Sequence, residues 1–215
     1  MKKLNIIPLL LALLVFSVAK SFAGDKYTEN MQKNIDSVYN SKTIAGLQRA
    51  VNTLERIGEA EKAKWEPYYY ASFGYVMMAT REKEAAIKDS YLDLALKATE
   101  KAKALQPGES EIIALEGFIH MIRVTVDPAS RGQQYSSLAF QSFGKAVGMN
   151  AENPRALALL AQMQFGTAQF FGSSTAEACA TNSKALEKFE SFKSGNALAP
   201  QWGRGMAEEL KGKCK

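Results

Sequence analysis

The sequence predicts an all-α protein built as an array of antiparallel helix pairs. Three observations carry that expectation. Apolar residues recur at three- and four-residue spacing: "LQRAVNTLERI" sets Leu47, Ala50, Val51, Leu54 and Ile57 on one face, and "YLDLALKATEKAKAL" does so with Leu94, Ala95, Ala98, Ala102 and Leu105. Val and Ile do not alternate with polar residues over a useful length, and no Asn-Gly or Asp-Gly turn joins two such runs. Turn and cap chemistry punctuates the chain at intervals that suit helices.

Taken in order, the pattern gives nine helices. The first spans about 25–39, and the second, about 43–61, holds the Leu47–Ile57 stripe. Glu66-Pro67 opens the third at about 66–80, because the first helical turn has no use for the amide hydrogen that proline lacks. The fourth, about 86–105, carries the Leu94–Leu105 stripe and stops at "QPGES", after which the fifth runs over about 109–123. Asp127-Pro128 precedes the sixth at about 131–148, and Asn153-Pro154 opens the seventh at about 154–170. "FGSST" separates it from the eighth, about 175–193, and Ala199-Pro200 opens the ninth, about 200–212.

Sliding the sequence by about 44 residues exposes a repeat. Tyr91 falls on Tyr135, Leu94 on Leu138, Ala95 on Ala139, Lys101-Ala102 on Lys145-Ala146, Ile113 on Leu157 and Gly117 on Ala161. Gly74 precedes Gly117 by a similar distance. Small residues thus stand midway along alternate helices (Gly74, Gly117, Ala161), each with a larger residue four positions earlier (Tyr70, Ile113, Leu157). The following helices carry Ala95, Thr99 and Ala102, then Ala139, Phe143 and Ala146, with Pro107 five residues beyond Ala102.

Over about 43–200 this arrangement resembles the tetratricopeptide repeat family. The period is longer than that family's 34 residues, its Trp-Leu-Gly-Tyr set is never complete, and Ala151 stands where a second proline belongs. A HEAT-type solenoid and a non-repetitive bundle are the alternatives. The resemblance implies a right-handed array of about four helix pairs plus a C-terminal capping helix, with a concave groove lined by the first helix of each pair. Carried through the three small residues, that groove takes Tyr68, Tyr75 and Met78 from one helix, Glu111, Phe118 and Met121 from the next, and Arg155, Gln162 and Phe165 from the last. Aromatics and methionines with a few polar groups suit an extended peptide or a partner helix. The same stripe also suits packing against the protein's own terminal helices.

The N-terminus has the layout of a secretory signal peptide: Lys2-Lys3, an apolar Leu4–Ala19 and small residues at Ser21 and Ala23, with a cut expected between Ala23 and Gly24. The apolar run is shorter than the roughly 20 residues that span a bilayer. This divides the chain into a leader, 1–23, and a single domain, 24–215, that is periplasmic or secreted and has no stable membrane insertion after cleavage. Removing Lys2, Lys3 and Lys20 leaves 24 basic residues against 22 acidic ones, a balance that argues against a nucleic-acid partner.

Catalytic chemistry finds little support. His120 is the sole histidine, and metal sites recruit several imidazoles or thiolates. No phosphate loop, Gly-x-Ser-x-Gly or His-Glu-x-x-His occurs. The expectation is a non-enzyme without cofactor or metal: an exported scaffold for an unidentified protein or peptide. The alternatives are an accessory subunit of a cell-envelope assembly and, behind it, a small-ligand binder.

Cys179 and Cys214 are the only cysteines. If helices eight and nine are antiparallel, both lie about 14 residues from the intervening turn and reach the same end of the hairpin. An oxidising compartment then makes a Cys179–Cys214 disulfide reasonable, and two unrelated thiols are the alternative.

Overall fold

The computed structural model describes residues 26–214, so the expected leader and its cut site lie outside the described residues. Within them all regular structure is helix, with no strand: α1 (26–40), α2 (Ile44–Ala60), α3 (Glu66–Arg81), α4 (Ala85–Leu105), α5 (Ser110–Val124), α6 (Pro128–Met149), α7 (Pro154–Phe170), α8 (Ala176–Ser191) and α9 (Arg204–Lys213). Side-chain caps start several of them. Thr43 accepts from the Gly46 amide, Asp127 from Ser130, and Asn153 from both Arg155 and Ala156. Helix α6 begins three residues earlier than the periodicity suggests, because Asp127 caps it and Pro128 fits the first turn.

Helices α3, α5, α7 and α9 lie side by side in one layer, and α2, α4, α6 and α8 pack across them as the second. The repeat's small residues set the closeness of that packing. A Cβ on Gly117 would stand 2.5 Å from the ring of Phe143 on α6, a fully buried side chain. One on Gly74 would stand 2.4 Å from Val51 on α2. Thr99, where the next copy has Phe143, fills less space and pairs its hydroxyl with Ser72 at 2.7 Å instead.

At the C-terminal end, alanines bring α7, α8 and α9 together. Ala158 meets Ala185 and Ala207 in one small core, and Ala161 meets Ala178 and Leu210 in another. Cys179 and Cys214 form a disulfide beside the second, with Cα atoms 5.7 Å apart, and so join α8 to the end of α9. Asn182 adds a buried hydrogen bond to the Ala207 carbonyl at 2.8 Å.

Helix α9 starts at Arg204, not at about 200, because the preceding residues do other work. Residues 192–203 cross the α1–α3–α5 surface as a strap. The Tyr70 hydroxyl donates to the Leu198 carbonyl at 2.7 Å, Asn196 donates to Glu66 at 3.2 Å, and the Gln201 amide donates to the Tyr39 hydroxyl at 3.2 Å. Trp202 donates its indole N–H to Tyr69 and stacks on Phe73 and Phe118, at 4.7 and 5.6 Å between ring centres. Gly203 turns the chain into α9 with φ of 102°, where a Cβ would also lie 2.9 Å from Arg155. Only glycine meets both conditions without strain.

Candidate functional site

The groove expected from the repeat is closed in this structure. Phe118 lies beneath Trp202. Glu111 and Arg155 are buried as a bidentate pair, with Arg155 Nε and Nη2 donating to the carboxylate at 2.7 and 2.6 Å. Arg155 also faces the Phe192 ring at 4.6 Å and reaches the Trp202 carbonyl. Burial pulls the guanidinium down, but the Glu111 carboxylate beside it holds it above its ordinary value. Burial pushes the Glu111 carboxyl up, against the pull of Arg155.

Tyr68 and Tyr75 face α2, not the strap, and donate to Glu59 and Glu55 at 3.1 and 3.2 Å. The reason is that α3 is sandwiched between α2 and α4, so nearly all its faces are buried. Met78 is fully buried, and Phe165 packs in the small core beside the disulfide. Seven of the nine expected groove residues are therefore covered. Met121 and Gln162 remain partly exposed, and these two lead to a different surface.

That surface is an apolar groove of about 610 Å³ where the end of α5, the start of α6 and the last turns of α7 meet. Its volume falls within the roughly 300–1,000 Å³ typical of small-molecule sites. Helix α5 and its C-cap Thr125 contribute Met121, Val124 and Thr125, with Val124 and Thr125 three and four residues beyond Met121. Helix α7 with its C-cap Phe171 contributes two adjacent rows, Gln162-Gly166-Phe170 and Met163-Thr167-Phe171. The floor is open at two glycines, Gly132 on α6 and Gly166 on α7, since a Cβ on either would meet no atom within 4 Å.

Phe170 and Phe171 form the rim and are 78% and 73% exposed, by far the most exposed large apolar side chains among the described residues. Their place follows from local sequence. Gly172, at φ of 64°, lets α7 end in a Schellman cap: the Gly172 amide donates to the Gln169 carbonyl and the Ser173 amide to the Ala168 carbonyl. The helix thus stays regular through its final turn and carries both rings past the end of the packed core, edge to face at 5.0 Å. Repeat mapping finds Met121 and Gln162 but stops short of this pair. The available signal is two adjacent phenylalanines immediately before a helix-ending glycine.

A larger cleft of about 790 Å³ between α2 and α4 is of another kind. Glu55, Arg56, Glu59, Lys97 and Lys101 line it, and Lys101 bonds Glu59 at 2.6 Å, so its charges answer one another in water. His120 belongs to neither surface. Its ring stacks on Tyr135 at 6.1 Å, and burial holds the imidazole below its ordinary value. Among the described residues no helix is long and apolar enough to cross a membrane.

No protein-family model matches this sequence, and no curated protein matches it. Solved structures do. The chain is similar to the HusA haemophore from Porphyromonas gingivalis, with a TM-score of 0.78 and 25% identity, covering 88% of this chain and 92% of that one. It is also similar to a thermophilic tetratricopeptide-repeat protein of Thermus thermophilus, with a TM-score of 0.54 and 17% identity over 84% of this chain and 89% of the other. The array of helix pairs is thus a tetratricopeptide-like fold, and the two neighbours together support a helical scaffold suited to binding a protein or a ligand.

Proposed function

We propose that this protein is an exported carrier, not an enzyme, which holds a flat apolar molecule of the porphyrin class in the α5–α6–α7 groove. The observation that carries the reading is the pair of exposed rings, Phe170 and Phe171, at the rim of an apolar groove with an open glycine floor. Exposed aromatic surface of this kind marks a binding site more often than a solvated face. Similarity to a haemophore over nearly the whole chain supports the ligand class. The Cys179–Cys214 bridge suits an oxidising compartment outside the cytoplasm.

The residues present fit such a cargo through its faces and not through its metal. Among the lining side chains only the thioethers of Met121 and Met163 could approach an iron, and no histidine, cysteine or tyrosine lines the groove. Stacking on phenylalanine and packing on methionine would supply the grip. An extended peptide has less support, since residues 192–203 already occupy the surface that would receive it.

The test is a titration with haem and with metal-free protoporphyrin, followed by the porphyrin absorption band. Saturable binding is expected, weakened at least about tenfold by joint Phe170→Ser and Phe171→Ser exchange, since each buried ring is worth about 1.5–3 kcal/mol. The thermal midpoint should not fall, because both rings are already in water. Absence of saturable binding, or equal binding by the variant, overturns the proposal.

A further inference from the structure

Resting on the reading of this groove as the cargo site, we infer that it recognises the apolar body of its ligand alone and leaves any carboxylates in water, so neutral or esterified ligands bind as well as the acids. None of the side chains lining the groove carries a charge. Its neutral donors are also largely committed to the chain's own carbonyls. Thr125 donates to Ile122 at 2.7 Å, Ser136 to Gln133 at 3.3 Å, and the Gln162 amide to Met206 at 2.9 Å.

The cations next in sequence to the lining are turned away. Arg123, beside Val124, bonds Asp93 at 2.6 Å and approaches Asp89 at 3.6 Å. Arg131, beside Gly132, bonds Asp89 at 2.6 Å. Both guanidiniums are therefore engaged by carboxylates of α4, and neither lines the groove. A carboxylate seated inside would lose its hydration and find no cation in return, a cost that exceeds what one neutral hydrogen bond restores. The ligand must therefore seat with its ionised edge outward, where esterification changes nothing the protein touches.

The experiment compares dissociation constants of protoporphyrin and its dimethyl ester in one buffer containing a non-ionic detergent, for the wild type and for Gln133→Lys. Wild type is expected to bind the two within about threefold of each other. The variant places a cation at the wall and is expected to favour the diacid by about tenfold, the scale of one charge-assisted hydrogen bond. If wild type binds the diacid but the ester more than about tenfold more weakly, this inference is overturned while the porphyrin reading stands. If neither binds, both fall. If Gln133→Lys gains no preference, the ionised edge does not emerge at the exposed wall beside Gln133, and the outward seating inferred here is overturned.

Discussion

Gly166 offers a perturbation in which stability and binding should move in opposite directions. It stands inside α7, four residues before Phe170, and a Cβ built on it meets nothing within 4 Å. Replacing an interior helical glycine by a better helix former stabilises by about 0.5–1 kcal/mol, since the unfolded chain loses freedom and the folded state loses nothing. For a domain of this size that is a rise of about 2–4 °C in thermal midpoint per kcal/mol. Gly166→Leu also sends a branched side chain into the groove, displacing the ligand from the floor between Met163 and Phe170. Differential scanning calorimetry and porphyrin titration of one preparation are the assays. The expected result is a midpoint raised by a few degrees and affinity lowered more than about tenfold. Gly117→Ala is the opposing control: its Cβ would lie 2.5 Å from the buried Phe143 ring, so it should destabilise by about 1–2 kcal/mol after the helix-propensity gain is subtracted. A Gly166→Leu protein that binds porphyrin as wild type does, or that melts lower, would refute the reasoning.

Three further outcomes follow from particular contacts. Cys214→Ser removes the crosslink that closes a 35-residue separation and should cost about 3–4 kcal/mol, with amide exchange rising first in α9; unchanged chemical-denaturation curves would contradict this. Arg155→Met leaves the Glu111 carboxylate buried without its partner and should cost about 3–5 kcal/mol, much of it recovered when Glu111 is also made apolar; additive losses in that double-mutant cycle would argue against the pair. Burial, with Glu55 nearby, pushes the Tyr75 phenol up to about 12, and burial also raises Tyr27, Tyr39, Tyr69 and Tyr70 above their ordinary value. With folded values above the unfolded value of about 10, the stability these phenols carry is complete below pH 10 and is lost as pH rises through their folded values, which for Tyr75 is about 12. Absorbance at 295 nm and helical dichroism should therefore change together under alkali; ordinary phenol titration near pH 10 with the helices intact would count against it.

The helices are legible because the forces that make them are local. The Leu47–Ile57 stripe, the Asn153 cap with Pro154, and the Gly117 notch for Phe143 each act within a few residues or between neighbouring helices. The cysteines can be paired for the same reason, once two adjacent antiparallel helices are counted out from their turn. The pattern places helix nine four residues early because proline reads as a helix opener, whereas Pro200 here is buried in the non-helical strap.

What the sequence determined by itself is the helical array, its pairing and its closing disulfide, since periodicity, capping and small-residue spacing encode them directly. Only the tertiary structure decided which helical faces meet water. A three-to-four-residue stripe states that one face is apolar, and it is silent on whether a distant segment covers that face. Tyr70 and Leu198 are 128 residues apart, yet their hydrogen bond helps hold the strap across the surface that the repeat pattern left open. Past the end of that strap's reach, α7 and its cap carry Phe170 and Phe171 out into water, and there the apolar face lies open instead of joining the core.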